Sequence, residues 1–247
     1  MTINSAADRR LSVTSMLRAV ELGSIGLGVL LIGVLHVVPP TSAIDPLTVT
    51  ISQYGRSVLA GVFVSGVVLI ALGSTATLIL LVQSGVCRAW SAPGLGLALW
   101  VVGMIGVALF QKADWAAGAT FDGYVHRAAS VIAFVALPAA ILMLALREAR
   151  RRRRPPTASR SDRRLLVAAS VLTLLVLAAI FVLGMFIAVA EAEGAAWWTM
   201  LPIGLTERLL VSAELSALAL LVSGVRILPS GPQDPSSADA VLGSAEG

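Results

Sequence analysis

Apolar residues in this chain come in long blocks separated by short polar stretches. The blocks run at about 17–38, 57–82, 94–111, 126–146, 165–190 and 203–226. About 20 predominantly apolar residues suffice for a helix to cross the hydrocarbon core of a bilayer. None of the blocks alternates apolar with polar residues as the strands of an outer-membrane barrel do. A helix satisfies its own backbone hydrogen bonds in lipid, so each block predicts a spanning helix. The expected fold is therefore all-α: a polytopic membrane protein, a six-transmembrane-helix bundle over residues 17–228. The third block is the shortest and is rich in glycine. Residues 1–16 are polar and predict a disordered cytoplasmic start, and 229–247, rich in Pro, Ser, Gly and acid, a disordered cytoplasmic tail. Thr41-Ser42-Ala43 has the small residues of a signal-peptidase site, but block 17–38 exceeds the about 7–15 residues of a secretory apolar region and reads as a retained anchor.

Composition supports the bilayer as solvent. Of 247 residues, 57% are hydrophobic and 13% charged, against about 25% charged in soluble domains. The basic residues set the orientation. With the N-terminus inside, fourteen of the eighteen fall in cytoplasmic segments, including Arg147, Arg150 to Arg154, Arg160, Arg163 and Arg164. Arg56, Lys112, Arg127 and Arg208 remain outside. The sequence pI near 10.2 thus reflects topology, with Arg150–Arg154 placed to touch anionic lipid headgroups, and implies no nucleic-acid partner. The single cysteine, Cys87, excludes an intramolecular disulfide and any multi-cysteine metal site.

Once the topology is drawn, the remaining polar residues collect on the outer side. The first helix and its loop bring His36, Asp45, Ser52, Tyr54 and Arg56. The stretch FQKADWAAGATFDGYVHRAAS, Phe110 to Ser130, brings the only lysine, Lys112, with Asp114, Asp122, His126 and Arg127. The last loop and helix add Glu191, Glu193, Trp197, Trp198, Glu207 and Arg208. Charged groups within spans are costly and face the bundle interior or a water-filled cavity. The expectation is an outward polar pocket around His126, with Ser52, Asp114, Asp122 and His126 as candidate catalytic groups. His36, Asp114, Asp122, His126, Glu207 and Glu214 are the candidate ligand-binding residues. His126 and Ser130, four apart, share one helix face. Glu207 and Glu214, seven apart, also share a face, with Glu214 deeper and without a sequence neighbour to neutralise it. Arg18 and Glu21 are expected to pair at the inner boundary. Trp197 and Trp198 read as an aromatic interface belt, and the glycines of 23–33 and of the third block as sites of close helix packing.

The order ISQYGRS (51–57), FQKAD (110–114), GYVHRAASVIAF (123–134) and GLTERLL (204–210) resembles a six-span bacterial membrane family, common in actinobacteria, known as domain of unknown function nine-nine-eight. The resemblance covers about residues 17–226. The family pattern places an Ile-Ser before the second helix, a Phe-Pro-x-Asp closing the third and a His opening the fourth, which fall on Ser52, Asp114 and His126. Gln111 stands here where the proline is usual, and one extra residue separates Phe110 from Asp114. The resemblance implies a fold and no established activity.

Three functions fit these residues. The first is a lipid-interacting, transport or accessory protein of the cell envelope, in the plasma membrane. The second is a metal-dependent membrane hydrolase acting on lipid headgroups, in which His36, His126, Asp114 and Asp122 would hold zinc with one position left for activated water. The third is a b-type haem protein with His36 and His126 as axial ligands. The pattern requires no cofactor; zinc and haem are the two its histidines could hold.

Overall fold

A computed structural model describes residues 3–114, 118, 120–151 and 160–224. The expected tail at 229–247, and Arg152 to Arg154 of the basic loop, lie outside the described residues. Six α-helices follow in chain order: α1 (Ile3–Val34), α2 (Ala60–Gln83), α3 (Ala92–Leu109), α4 (Phe121–Arg151), α5 (Arg160–Ala192) and α6 (Ile203–Gly224). The described residues contain no strand. The first five helices are long and apolar enough to cross a membrane. The sixth carries Glu207, Arg208 and Glu214 among its 22 residues. The chain is an integral membrane protein built as a polytopic helical bundle.

Consecutive helices pack as neighbours from α1 to α6, and α4 also packs on α6. Consequently α4 is central, touching α3, α5 and α6, whereas α1 and α6 are not a packed pair. The connections 35–59 and 193–202 and residues 110–114 meet at one end of the bundle, called here the polar end. At the other end Cys87, Leu144, Ala145 and Leu166 join one apolar core.

Small residues set the closest approaches. On α1 a methyl group at Gly28 would lie 2.6 Å from the Gly66 carbonyl of α2, and between α3 and α4 one at Gly103 would lie 2.8 Å from the Ala129 carbonyl. With no hydrophobic drive between helices in lipid, such backbone proximity supplies the packing. Gly23, Gly26 and Gly33 face open space instead, so only Gly28 of the 23–33 set performs the expected role.

Several boundaries differ from the sequence expectation. α1 begins at Ile3, not near residue 17, because no Gly or Pro occurs between Ile3 and Leu22 and a nucleated helix propagates cheaply through such residues. It ends at Val34, which leaves His36 beyond the helix. Residues Ile51–Arg56 form a short 3₁₀ helix, so α2 starts at Ala60 rather than 57. α4 begins at Phe121, five residues ahead of the expected 126, with Asp122 in its first turn, where an acid complements the helix dipole. Glu21, expected to pair with Arg18, instead accepts a hydrogen bond from the Thr77 hydroxyl of α2 at 2.8 Å, and its other oxygen has no hydrogen-bond partner. A threonine across the packed α1–α2 seam satisfies one oxygen without desolvating a guanidinium.

Candidate functional site: an amphipathic cleft at the polar end

Arg208, in the second turn of α6, ties this end together. Its Nε donates to His36 Nε2 at 2.9 Å, its Nη1 to the carbonyls of Pro46, Val49 and Gly204 at 2.9, 2.8 and 2.9 Å, and its Nη2 to the Tyr54 hydroxyl at 3.3 Å. The fork geometry of guanidinium lets one side chain bind so many acceptors at once. His36 Nδ1 lies 2.9 Å from the Ile32 carbonyl; only a donor fits there, so Nε2 is the acceptor that Arg208 meets. Tyr54 is wholly buried and stacks edge-on against His36, with ring centroids 5.2 Å apart. Gly204 permits this docking, since a methyl group there would lie 2.3 Å from the Val49 carbonyl.

Glu207, the preceding residue, points elsewhere. Its Oε2 accepts the backbone N–H of Ile51. Lys112 Nζ donates to Thr50 Oγ1 at 2.7 Å, and Thr50 and Ser52 share a hydrogen bond of 3.1 Å. Burial pushes the Lys112 ammonium below the usual lysine range, and the Glu207 carboxylate opposes that shift. His126, buried in the second turn of α4, donates from Nδ1 to the carbonyl of Phe110 at 2.8 Å. Phe110 closes α3, so the histidine fastens the end of α3 to the start of α4. Arg127 pairs with Glu191 of α5 at 2.9 Å and lies over the Trp197 ring.

These groups floor and rim a cleft of 460 Å³ between α4, α5 and α6, within the range of small-molecule sites. Its floor holds Thr50, Ser52, Lys112, His126 and Glu207, and its walls are apolar: Val131 and Val135 of α4, Ile180, Leu183 and Ile187 of α5, Leu210 of α6. A second cleft of 350 Å³ opens between α1 and α6. Its sides carry Val29, Ile32 and Gly33 from α1 and Val211 and Leu215 from α6. Phe63, Val67, Trp100, Met104 and Ala133 form its base. Ser52, Ser130, Phe134 and Glu207 line both clefts.

The expected site residues therefore divide. Ser52, His126 and Glu207 meet in the first cleft, and Ser130 joins His126 there as their spacing implies. His36 lines the second cleft, so the two histidines do not share a cavity. Asp114 is exposed and within 3.9 Å of Arg56, Asp122 is exposed at the start of α4, and neither lines a cleft. Glu214 is buried in the bundle, lines neither cleft and has no hydrogen-bond partner on either oxygen. Among the described residues no three of His, Cys, Asp and Glu gather as metal ligands. Ser52 and His126 share the cleft, but the serine hydroxyl is engaged by Thr50 and the histidine Nδ1 by a backbone carbonyl. Trp197, expected in an interface belt, is buried in the cleft wall.

Sequence reading passed over Thr50 and the apolar walls. Thr50 precedes the Ile-Ser pair and carries no signal of its own; its role depends on Lys112, 62 residues away. No curated protein and no solved structure matches this chain. The family described as "Protein of unknown function (DUF998)" matches residues 24–224, which takes in all of α2 to α6, both clefts and the Arg208 hub. The chain belongs to that family.

Proposed function

We propose that this protein binds a membrane amphiphile, with its polar head on the floor of the 460 Å³ cleft and an apolar chain along α4 and α5. The observation that carries this reading is the division of that one cleft: hydroxyls, a lysine, a histidine and a carboxylate at the bundle end, apolar walls toward the membrane interior. Headgroup depth and acyl depth in a bilayer divide the same way. Arginine distribution supports an outward-facing cleft in the cytoplasmic membrane with both termini inside. In that orientation the cleft serves the outer leaflet, and Arg147 and Arg150, at the far end of α4, lie at the inner leaflet, where anionic headgroups attract basic segments. The role is that of a lipid-binding accessory or transport protein of the envelope.

Purification in mild detergent, followed by solvent extraction and mass spectrometry, tests this. About one amphiphile per chain should survive delipidating washes. Lys112→Met with His126→Gln should lower its retention, with the fold unchanged by circular dichroism. Wild-type protein that retains no amphiphile, or a double variant that retains as much as wild type, would sink the reading.

A further inference from the structure

Resting on that reading, we propose that the ligand has two apolar chains, one in each cleft, and that α6 borders both. The clefts lie on neighbouring faces of α6 and share Ser130 and Phe134 of α4. Ile203 and Leu210 face the α4–α5 side, Val211 and Leu215 the α1 side, and Glu207 borders both. The four residues common to the two clefts include two hydroxyls and a carboxylate, Ser52, Ser130 and Glu207, so the junction is polar where the cleft walls are apolar. A two-chained lipid has this form: apolar chains diverging from one polar backbone. A single-chained amphiphile would fill one cleft and leave the other to bilayer lipid.

The α1–α6 cleft is also built to stay open. These helices do not pack together. Their ends are held by the hydrogen bond between His36 and Arg208, which closes the cleft at the polar end while leaving its flank facing the bilayer. A chain can enter sideways, and it lies against Phe63, Trp100 and Met104, the broad apolar base of that cleft.

Two glycines allow a clean test. Gly33 lines the α1–α6 cleft and Gly184 the α4–α5 cleft, and a Cβ at either meets nothing within 4 Å. Gly33→Trp and Gly184→Trp should therefore fold and fill one cleft each, with Gly33→Leu and Gly184→Leu as milder partners. Lipid co-purifying with each variant is then identified by mass spectrometry, using vesicles of diacyl phospholipid, its lyso form and free fatty acid as added probes. Wild type should retain diacyl lipid over the lyso form. Gly33→Trp should retain diacyl lipid about tenfold less while still holding the lyso form, because a filled cleft has no room for a chain; Gly184→Trp should lose both. Diacyl lipid held equally by Gly33→Trp and wild type overturns the two-chain proposal and leaves the single-cleft reading standing. Loss of lipid from neither variant shows exchangeable bilayer lipid only and overturns both. Should Gly33→Trp fail to accumulate, the same comparison is read from Gly33→Leu.

Discussion

Arg208 and Glu214 lie on the same helix, less than two turns apart, and the protein treats them in opposite ways. Arg208 reaches three carbonyls, a histidine and a tyrosine; Glu214 is sealed in the bundle with no partner for either oxygen. The polar end is thus held by directional bonds converging on a few side chains. The body below is held by close approach of small residues, with polar groups such as Glu214 and one oxygen of Glu21 left unmatched. The difference teaches where the fold is specified by chemistry and where by shape. Non-helical backbone shielded from water needs partners supplied by the protein itself; the carbonyls of Pro46 and Val49 obtain them from Arg208, that of Leu47 from the Leu205 N–H, and the Ile51 N–H from Glu207. Inside the bundle the helices satisfy themselves, so packing alone suffices.

The largest effect should come from removing the hub. Arg208→Ala leaves several carbonyls unpaired at once and should cost about 3–5 kcal/mol, given about 1.5–3 kcal/mol for a hydrogen bond to a charged group and incomplete additivity. Arg208→Lys should recover little of it, because an ammonium cannot span those acceptors. Thermal unfolding in detergent measures both, and a lysine variant as stable as wild type would show that charge, not the fork, matters.

Close packing makes the next largest demand. Gly28→Ala should destabilise by about 1–3 kcal/mol, because its methyl group meets the Gly66 carbonyl and the α1–α2 seam must open. Gly26→Ala, two residues away and facing open space, should be neutral or slightly stabilising, as alanine is the better helix former. Equal effects at the two positions would remove the distinction between seam and surface.

Glu214→Leu should change stability in the opposite direction to Arg208→Ala, with a gain of about 1–3 kcal/mol from eliminating an unmatched buried polar group. A loss of that size instead would mean that Glu214 has a partner in the membrane, and would make it a site residue.

The smallest effect concerns Lys112. Its ammonium is harder to hold in the folded protein than in the unfolded chain, burial outweighing Glu207. The unfolded state therefore binds more protons between the lowered folded value and the ordinary 10.5, and stability should rise with pH across that window. Lys112→Met should flatten the rise, as measured by unfolding in detergent at a series of pH values. An unchanged slope would assign the effect to another group.

Much of this molecule was legible in the chain. The six apolar blocks became six helices because block length and bilayer thickness are matched quantities, independent of how helices pair. His126 and Ser130 share a cleft because helical spacing fixes their common face. The basic loop and the single lysine likewise stood out by composition. Only the tertiary structure decided which polar residues meet. Asp114 and His126 lie near each other in sequence, yet the aspartate is drawn out to Arg56 and the histidine in to the Phe110 carbonyl. His36 and Arg208 are 172 residues apart and form one hydrogen bond. Hydropathy is a property of each residue and survives folding unchanged, so sequence can state it. A hydrogen bond depends on two positions at once, and the pairs here were set by how the 35–59 connection and the ends of α3, α4 and α6 come together.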